Sequence, residues 1–173
     1  MITDNLKQEL LSRHSTTLNF NALVEFMEES KVEFIGCELR NVLGMATGDK
    51  VRINMGVIGS QYADYLFFVI LHEYCHTIRI NRMGKKQLVE SLSTENLDDL
   101  VDHVVGEEIL ADRYGSRMFF RFNNRIFPSD RTQRLHIKIN KESYKNIVSG
   151  IHGKIQGSEE KYDELINSFI ITE

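Results

Sequence analysis

The sequence predicts an α+β domain in which a small sheet packs on a central helix, followed by a helical C-terminal extension. Three observations carry this expectation. Val32–Ile35 and Lys50–Asn54 alternate apolar with polar or charged residues, the period of half-buried strands. Tyr62–Met83 has the length of a long helix and is apolar on nearly every side between Leu66 and Ile78, as a helix at the centre of a domain should be. Leu97–Phe122 carries a stripe through Leu100, Val104, Ala111, Gly115 and Phe119 with helical spacing.

In chain order, Leu6, Leu10 and Leu11 predict a short first helix. Phe20, Leu23, Val24 and Met27 predict a second, with Asn19 or Asn21 as its N-cap. The strand at Val32–Ile35 follows, and Gly48-Asp49 supplies a turn before Lys50–Asn54. Gly56 and Gly59 break the chain ahead of the Tyr62–Met83 helix, which closes on Arg79, Arg82 and Gly84, a cation-then-glycine C-terminus. The Leu97–Phe122 helix is acidic up to Asp112, and Arg113, Arg117, Arg121 and Arg125 then follow at intervals of four, an order that suits the helix dipole. Pro128, the only proline, marks the exit. A strand at Leu135–Ile139 and helices at Glu142–Ile151 and Glu159–Phe169 complete the expectation: a domain over residues 1–128, with residues 129–173 packed on it as an extension. There is no internal repeat and no low-complexity linker.

Composition narrows the function classes. A chain of 173 residues, 42% hydrophobic, fills one core and not two generous ones. The formal charge of -4 argues against a surface given over to nucleic acid. Two cysteines, Cys37 and Cys75, are too few for a disulfide framework. Met1–Leu11 carries Asp4, Lys7 and Glu9 rather than an apolar leader, and the longest apolar run, Leu66–Leu71, is far short of a span. A cytoplasmic protein with no membrane contact is expected.

The chemistry lies in His72-Glu73-Tyr74-Cys75-His76. On a helix, histidines four apart share one face and one metal ion, while the glutamate after the first stands beside the metal. There it can act as the base that takes a proton from a water the metal has acidified. A chance match is the dull alternative. It is disfavoured because two histidines and a glutamate within an apolar helix are costly to bury without a partner such as a metal.

A catalytic zinc takes three protein ligands, so the third must come from elsewhere. The acid-rich helix offers Glu107 and Glu108. Glu108 falls in the apolar stripe, four after Val104 and three before Ala111, whereas Glu107 projects about 100° away. Asp112, one turn on, is placed to accept the second N–H of a ligating histidine and fix its tautomer. The expected zinc ligands are therefore His72, His76 and Glu108, with Glu73 catalytic and Asp112 behind a histidine.

His72-Glu73-xx-His76 followed by Glu108-xx-Ala111-Asp112 resembles the gluzincin pattern, and within it the chain most resembles the ImmA/IrrE family of metallopeptidases. The likeness spans about residues 19–128. It rests on the Phe20–Met27 helix, the strand Arg52-Ile53-Asn54, the apolar approach Phe67–Leu71, and Glu108-xx-Ala-Asp-Arg-Tyr-Gly115. Asp112 stands where many members have asparagine. The resemblance implies a minimal zincin-like zinc peptidase whose edge strand, here Val51–Asn54, pairs with an extended substrate. It also implies a regulatory protein as substrate, in phage or mobile-element biology.

Tyr114, His103 and His136 are the residue types available to donate to an oxyanion, and nothing ranks them. Cys75 reads as a small buried side chain. The arginine series reads as a solvated helix face in preference to a nucleic-acid contact. The reaction expected is zinc-dependent peptide-bond hydrolysis on a protein or peptide substrate. Its rival is a catalytically silent protein stabilised by zinc, such as an anti-repressor or immunity factor, although a purely structural zinc needs no base beside it.

Overall fold

The computed structural model describes residues 1–13, 15, 17–128 and 144–172. In chain order they form α1 (Asp4–Ser12), α2 (Phe20–Glu29), β1 (Glu33–Leu39), β2 (Gly44–Ala46), β3 (Lys50–Asn54), α3 (Met55–Ile58), α4 (Ala63–Met83), α5 (Lys85–Ser91) and α6 (Leu97–Asn123). After these come α7 (helical residues 144–151), α8 (Glu159–Asn167) and β4 (Ile170–Thr172). The architecture is α+β, with a four-stranded sheet in the order β2-β3-β1-β4. The strand expected at Leu135–Ile139 lies outside the described residues.

The sheet is mixed. β1 and β3 are parallel, with Phe34 opposite Val51 and Gly36 opposite Ile53. β2 and β4 are antiparallel to β3 and β1 respectively. The chain therefore leaves β1, passes over to the far side of β3 and returns through a β2–β3 hairpin. The buried Asn54 side chain fixes this crossing, donating to the carbonyls of Leu39 at 2.7 Å and Val42 at 2.8 Å and accepting from Gly56 N–H at 3.1 Å.

This topology corrects one expectation. Lys50–Asn54 is not an edge strand, because β2 covers its outer side; among the described residues β2 is the terminal strand. Being central, β3 is buried on both faces. Val51 and Ile53 join the main core with Phe34, while Arg52 and Asn54 are buried on the opposite face. The apolar–polar alternation of β3 marks which face meets α4, not which face meets water. β2 is three residues of Gly-Met-Ala, too short to show a period of two.

α4 is central, as its all-round apolarity predicts. Leu66, Phe67, Ile70 and Leu71 have no solvent exposure. Phe67 packs edge-on against Phe119 of α6 with centroids 5.3 Å apart, a geometry worth about 0.5–1.5 kcal/mol beyond area burial. α6 starts at Asn96, whose side chain accepts from Asp98 and Asp99 N–H, and ends at Asn124 in the left-handed region. Arg113, Arg117 and Arg121 are exposed along it, whereas Arg125 pairs with Asp64 and lies over the Phe119 ring.

The C-terminal elements dock on the same helices. Val148 of α7 is buried with Leu100, Val101 and Val105 of α6, and Tyr162 of α8 with Val89 of α5 and Ile155. The last helix stops at Asn167, two residues before the expected end, and Ile170 pairs with Leu39 at the other edge of the sheet. No helix among the described residues is long and apolar enough to cross a membrane.

Candidate metal centre

Two helices supply the site because they approach closely at one point. A Cβ built on Gly115 of α6 would lie 3.0 Å from the Phe68 ring and 3.4 Å from the His72 backbone nitrogen. The missing side chain lets α6 rest on the motif turn of α4. One and two turns back from Gly115, Asp112 and Glu108 then meet the histidines.

Glu108 reaches both imidazoles, with Oε2 3.2 Å from His72 Nε2 and Oε1 3.2 Å from His76 Nε2. The two Nε2 atoms are 3.0 Å apart. Nδ1–H of His72 donates to Asp112 Oδ1 at 2.9 Å, which turns Nε2 toward the other two residues. Glu107, on the neighbouring face, makes a two-point ion pair with Arg79 instead, one contact being Nη2 to Oε1 at 2.6 Å. The periodicity argument separates the two glutamates in the same way.

His72, His76 and Glu108 could hold a metal ion. Donors of a tetrahedral metal with bonds of about 2.0–2.1 Å stand about 3.3 Å apart; here the two imidazole nitrogens are 3.0 Å apart and each has a different Glu108 carboxylate oxygen at 3.2 Å, so the carboxylate spans both rings. Two imidazole nitrogens turned toward each other over a carboxylate, with a second carboxylate behind one ring, form a typical nitrogen–oxygen donor set for a divalent first-row ion.

The electrostatics agree with a site built for positive charge. Burial lowers the His72 pKa, but hydrogen bonds to Asp112 and Glu108 outweigh it and carry it from 6.5 to about 10. Burial raises the Glu108 pKa, but its bonds to the same two histidines win and hold it well below the carboxylate range. Glu73 goes the other way: burial pushes its pKa up against the pull of His72 and His76. Its side chain lies against β2, where a Cβ on Gly44 would come within 2.8 Å of Glu73 Cγ and 3.0 Å of Oε1. A glycine in the edge strand makes room for Glu73.

These residues line a cavity of about 500 Å³. α4 forms its floor through Phe68, His72, His76 and Met83, β2 forms one wall, and α6 forms the other through His103, Val104 and Glu108. The expected oxyanion donors are divided. His103 lines the cavity, and its buried Nε2 has no hydrogen-bond partner among the described residues. Tyr114 does not; its ring faces Tyr74, 6.4 Å away, on another side of α4. His136 lies outside the described residues. Cys75 is buried away from the cavity, its thiol pushed up to about 11 by that burial.

One residue of the site is absent from the sequence reading. Tyr144 of α7 lines the cavity and donates its hydroxyl to Glu108 Oε2 at 2.7 Å. Nothing in a polar stretch such as Lys141–Asn146 marks it, because its position depends on how α7 docks on α6.

Comparison of the chain with protein-family models, curated proteins and solved structures finds no match to any of the three.

Proposed function

We propose that this chain is a zinc-dependent endopeptidase with a minimal zincin-like fold, akin to the ImmA/IrrE metallopeptidases its motifs resemble. The supporting observation is the convergence of His72, His76 and Glu108 into one triangle, with Asp112 behind His72 and Glu73 beside the triangle rather than in it. Zinc held by those three would polarise a carbonyl and acidify a water at its fourth position.

The protein's own groups carry the rest. Glu73, its carboxyl raised by burial, takes a proton at its carboxylate oxygen and returns it to the leaving amine. Asp112 fixes the His72 tautomer, and Tyr144 holds Glu108 in orientation. The outer edge of β2, beside Glu73, offers main-chain groups to an extended substrate. A regulatory protein of a phage or mobile element is the substrate class the resemblance favours, and a reducing cytosol suits a chain with only two cysteines.

The test pairs metal content with cleavage. Wild type should carry one zinc per chain and cut members of a peptide library. Glu73→Gln should keep its zinc and lose cleavage by at least about 100-fold, the scale of a general base. Glu108→Ala should lose the metal. Zinc retained without any cleavage by wild type would support the rival reading, a zinc-stabilised binding protein. Tyr144, a fourth polar side chain at the triangle, is the observation that favours that rival.

A further inference from the structure

The cavity extends well beyond the metal triangle, and its two ends differ. Tyr65, Phe68, His72, His76, Ile80 and Met83 all line it, so one continuous face of α4 forms its floor. From Tyr65 to Met83 that face runs about 27 Å at 1.5 Å per residue, the length of about eight extended residues. β2 runs alongside in the same direction, since Gly44 lies against Glu73 and Gly48, further along the chain, against Ile80 and Asn81.

Past the triangle the cavity becomes apolar. Ile80 and Met83 of α4, Leu88 and Leu92 at α5, Val104 of α6 and Tyr162 of α8 surround its far end. Of these only Tyr162 is buried; the others are half-buried and keep some accessible surface. Arg79 and Glu107, the charged pair that also lines the cavity, satisfy each other. That end of the cleft therefore has a mainly apolar lining, in which His103 beside Val104 is a polar exception, and a flexible methionine in its wall that adapts to side chains of different shape.

We infer that this end is a specificity pocket that takes a bulky aliphatic or aromatic side chain of the peptide substrate, two or three residues N-terminal to the scissile bond. The inference rests on the peptidase reading. Ile80 and Met83 lie four and seven residues beyond His76, about 6 and 10 Å along the helix. At about 3.3 Å per extended residue that is two to three substrate positions. Direction follows from β2. A peptide adding to its edge in the antiparallel sense, the slightly stronger pairing, runs opposite to β2 and to α4, so its N-terminal part lies toward Met83.

The experiment is cleavage profiling of the zinc-loaded protein on a peptide library, read by mass spectrometry, alongside binding of labelled ten-residue Ala-Ser peptides to Glu73→Gln. The binding peptides carry one Leu, Phe, Asp or Lys. Leu, Ile, Met or Phe should be enriched roughly 10- to 100-fold over Asp at the second or third position before the cut, the range for filling an apolar pocket. Met83→Ala should shift that position toward larger aromatics, and Met83→Glu should abolish its apolar preference, both at unchanged zinc content. Cleavage with no preference there, or with preference only after the cut, overturns the pocket and leaves the peptidase intact. Absence of cleavage with tighter binding of the Leu peptide than the Asp peptide, lost in Met83→Glu, overturns the peptidase and keeps the pocket. Equal binding of all four peptides without cleavage overturns both.

Discussion

A rotation of about 100° around α6 separates two adjacent glutamates with different partners: Glu107 neutralises Arg79, and Glu108 faces two histidines. Its remaining neighbour is Tyr144, whose hydroxyl at 2.7 Å restrains the carboxylate that would bind the metal. Groups of this kind commonly affect metal affinity by about 10- to 100-fold. Tyr144→Phe should therefore weaken zinc binding by about tenfold in competition with a chromophoric chelator. The ring still packs beside Val148, so the thermal midpoint without metal should move little. Unchanged affinity would mean that the hydroxyl does not orient Glu108. At this scale the sequence is readable where one helix carries the whole pattern. His72, Glu73, His76, Glu108 and Asp112 follow from spacing on α4 and α6, whereas Tyr144 becomes visible only after a third helix has docked.

The elements matter through their closest approach. α6 can lie on the motif turn of α4 because Gly115 has no side chain there, and the two donors from α6 sit within two turns of that contact. Alanine at this position needs the Phe68 ring to give by a few tenths of an ångström, and its better helix propensity offsets about 0.5–1 kcal/mol. Valine cannot be accommodated so cheaply, because the His72 backbone stands behind the ring; overpacking of this kind costs about 1–3 kcal/mol. Gly115→Val should lower the thermal midpoint by several degrees and weaken zinc at least about tenfold, while Gly115→Ala should change both little. Equal metal affinity in wild type and the valine variant would separate the helix crossing from the site. α4 and α6 were predictable as elements because their periods persist over many turns, whereas the short α3 and α5 were not expected. The sheet edge was not: β2 has three residues, and the alternation of β3 reports its contact with α4 while its other face is buried as well.

For the molecule as a whole, the metal would join α4 to α6, two helices with α5 between them in the chain. Binding to the folded state alone stabilises it by mass action. Protons compete for the same site. His72 titrates at 6.5 when unfolded and at about 10 when folded, because Asp112 and Glu108 outweigh the cost of burying its charge. A raised histidine pKa contributes stability that is complete below pH 6.5 and is lost as pH rises toward 10. The protein without metal should therefore become less stable over that interval. Zinc should bind more tightly over the same interval, since fewer protons must leave His72. The separation between the thermal midpoints of zinc-loaded and chelator-treated protein should widen as pH rises from 6.5 to 9, and Glu108→Ala should show almost no separation. A separation that stays constant or narrows would mean that His72 is not the proton competitor, and that the carboxylates around it leave its charge in the folded protein unaltered.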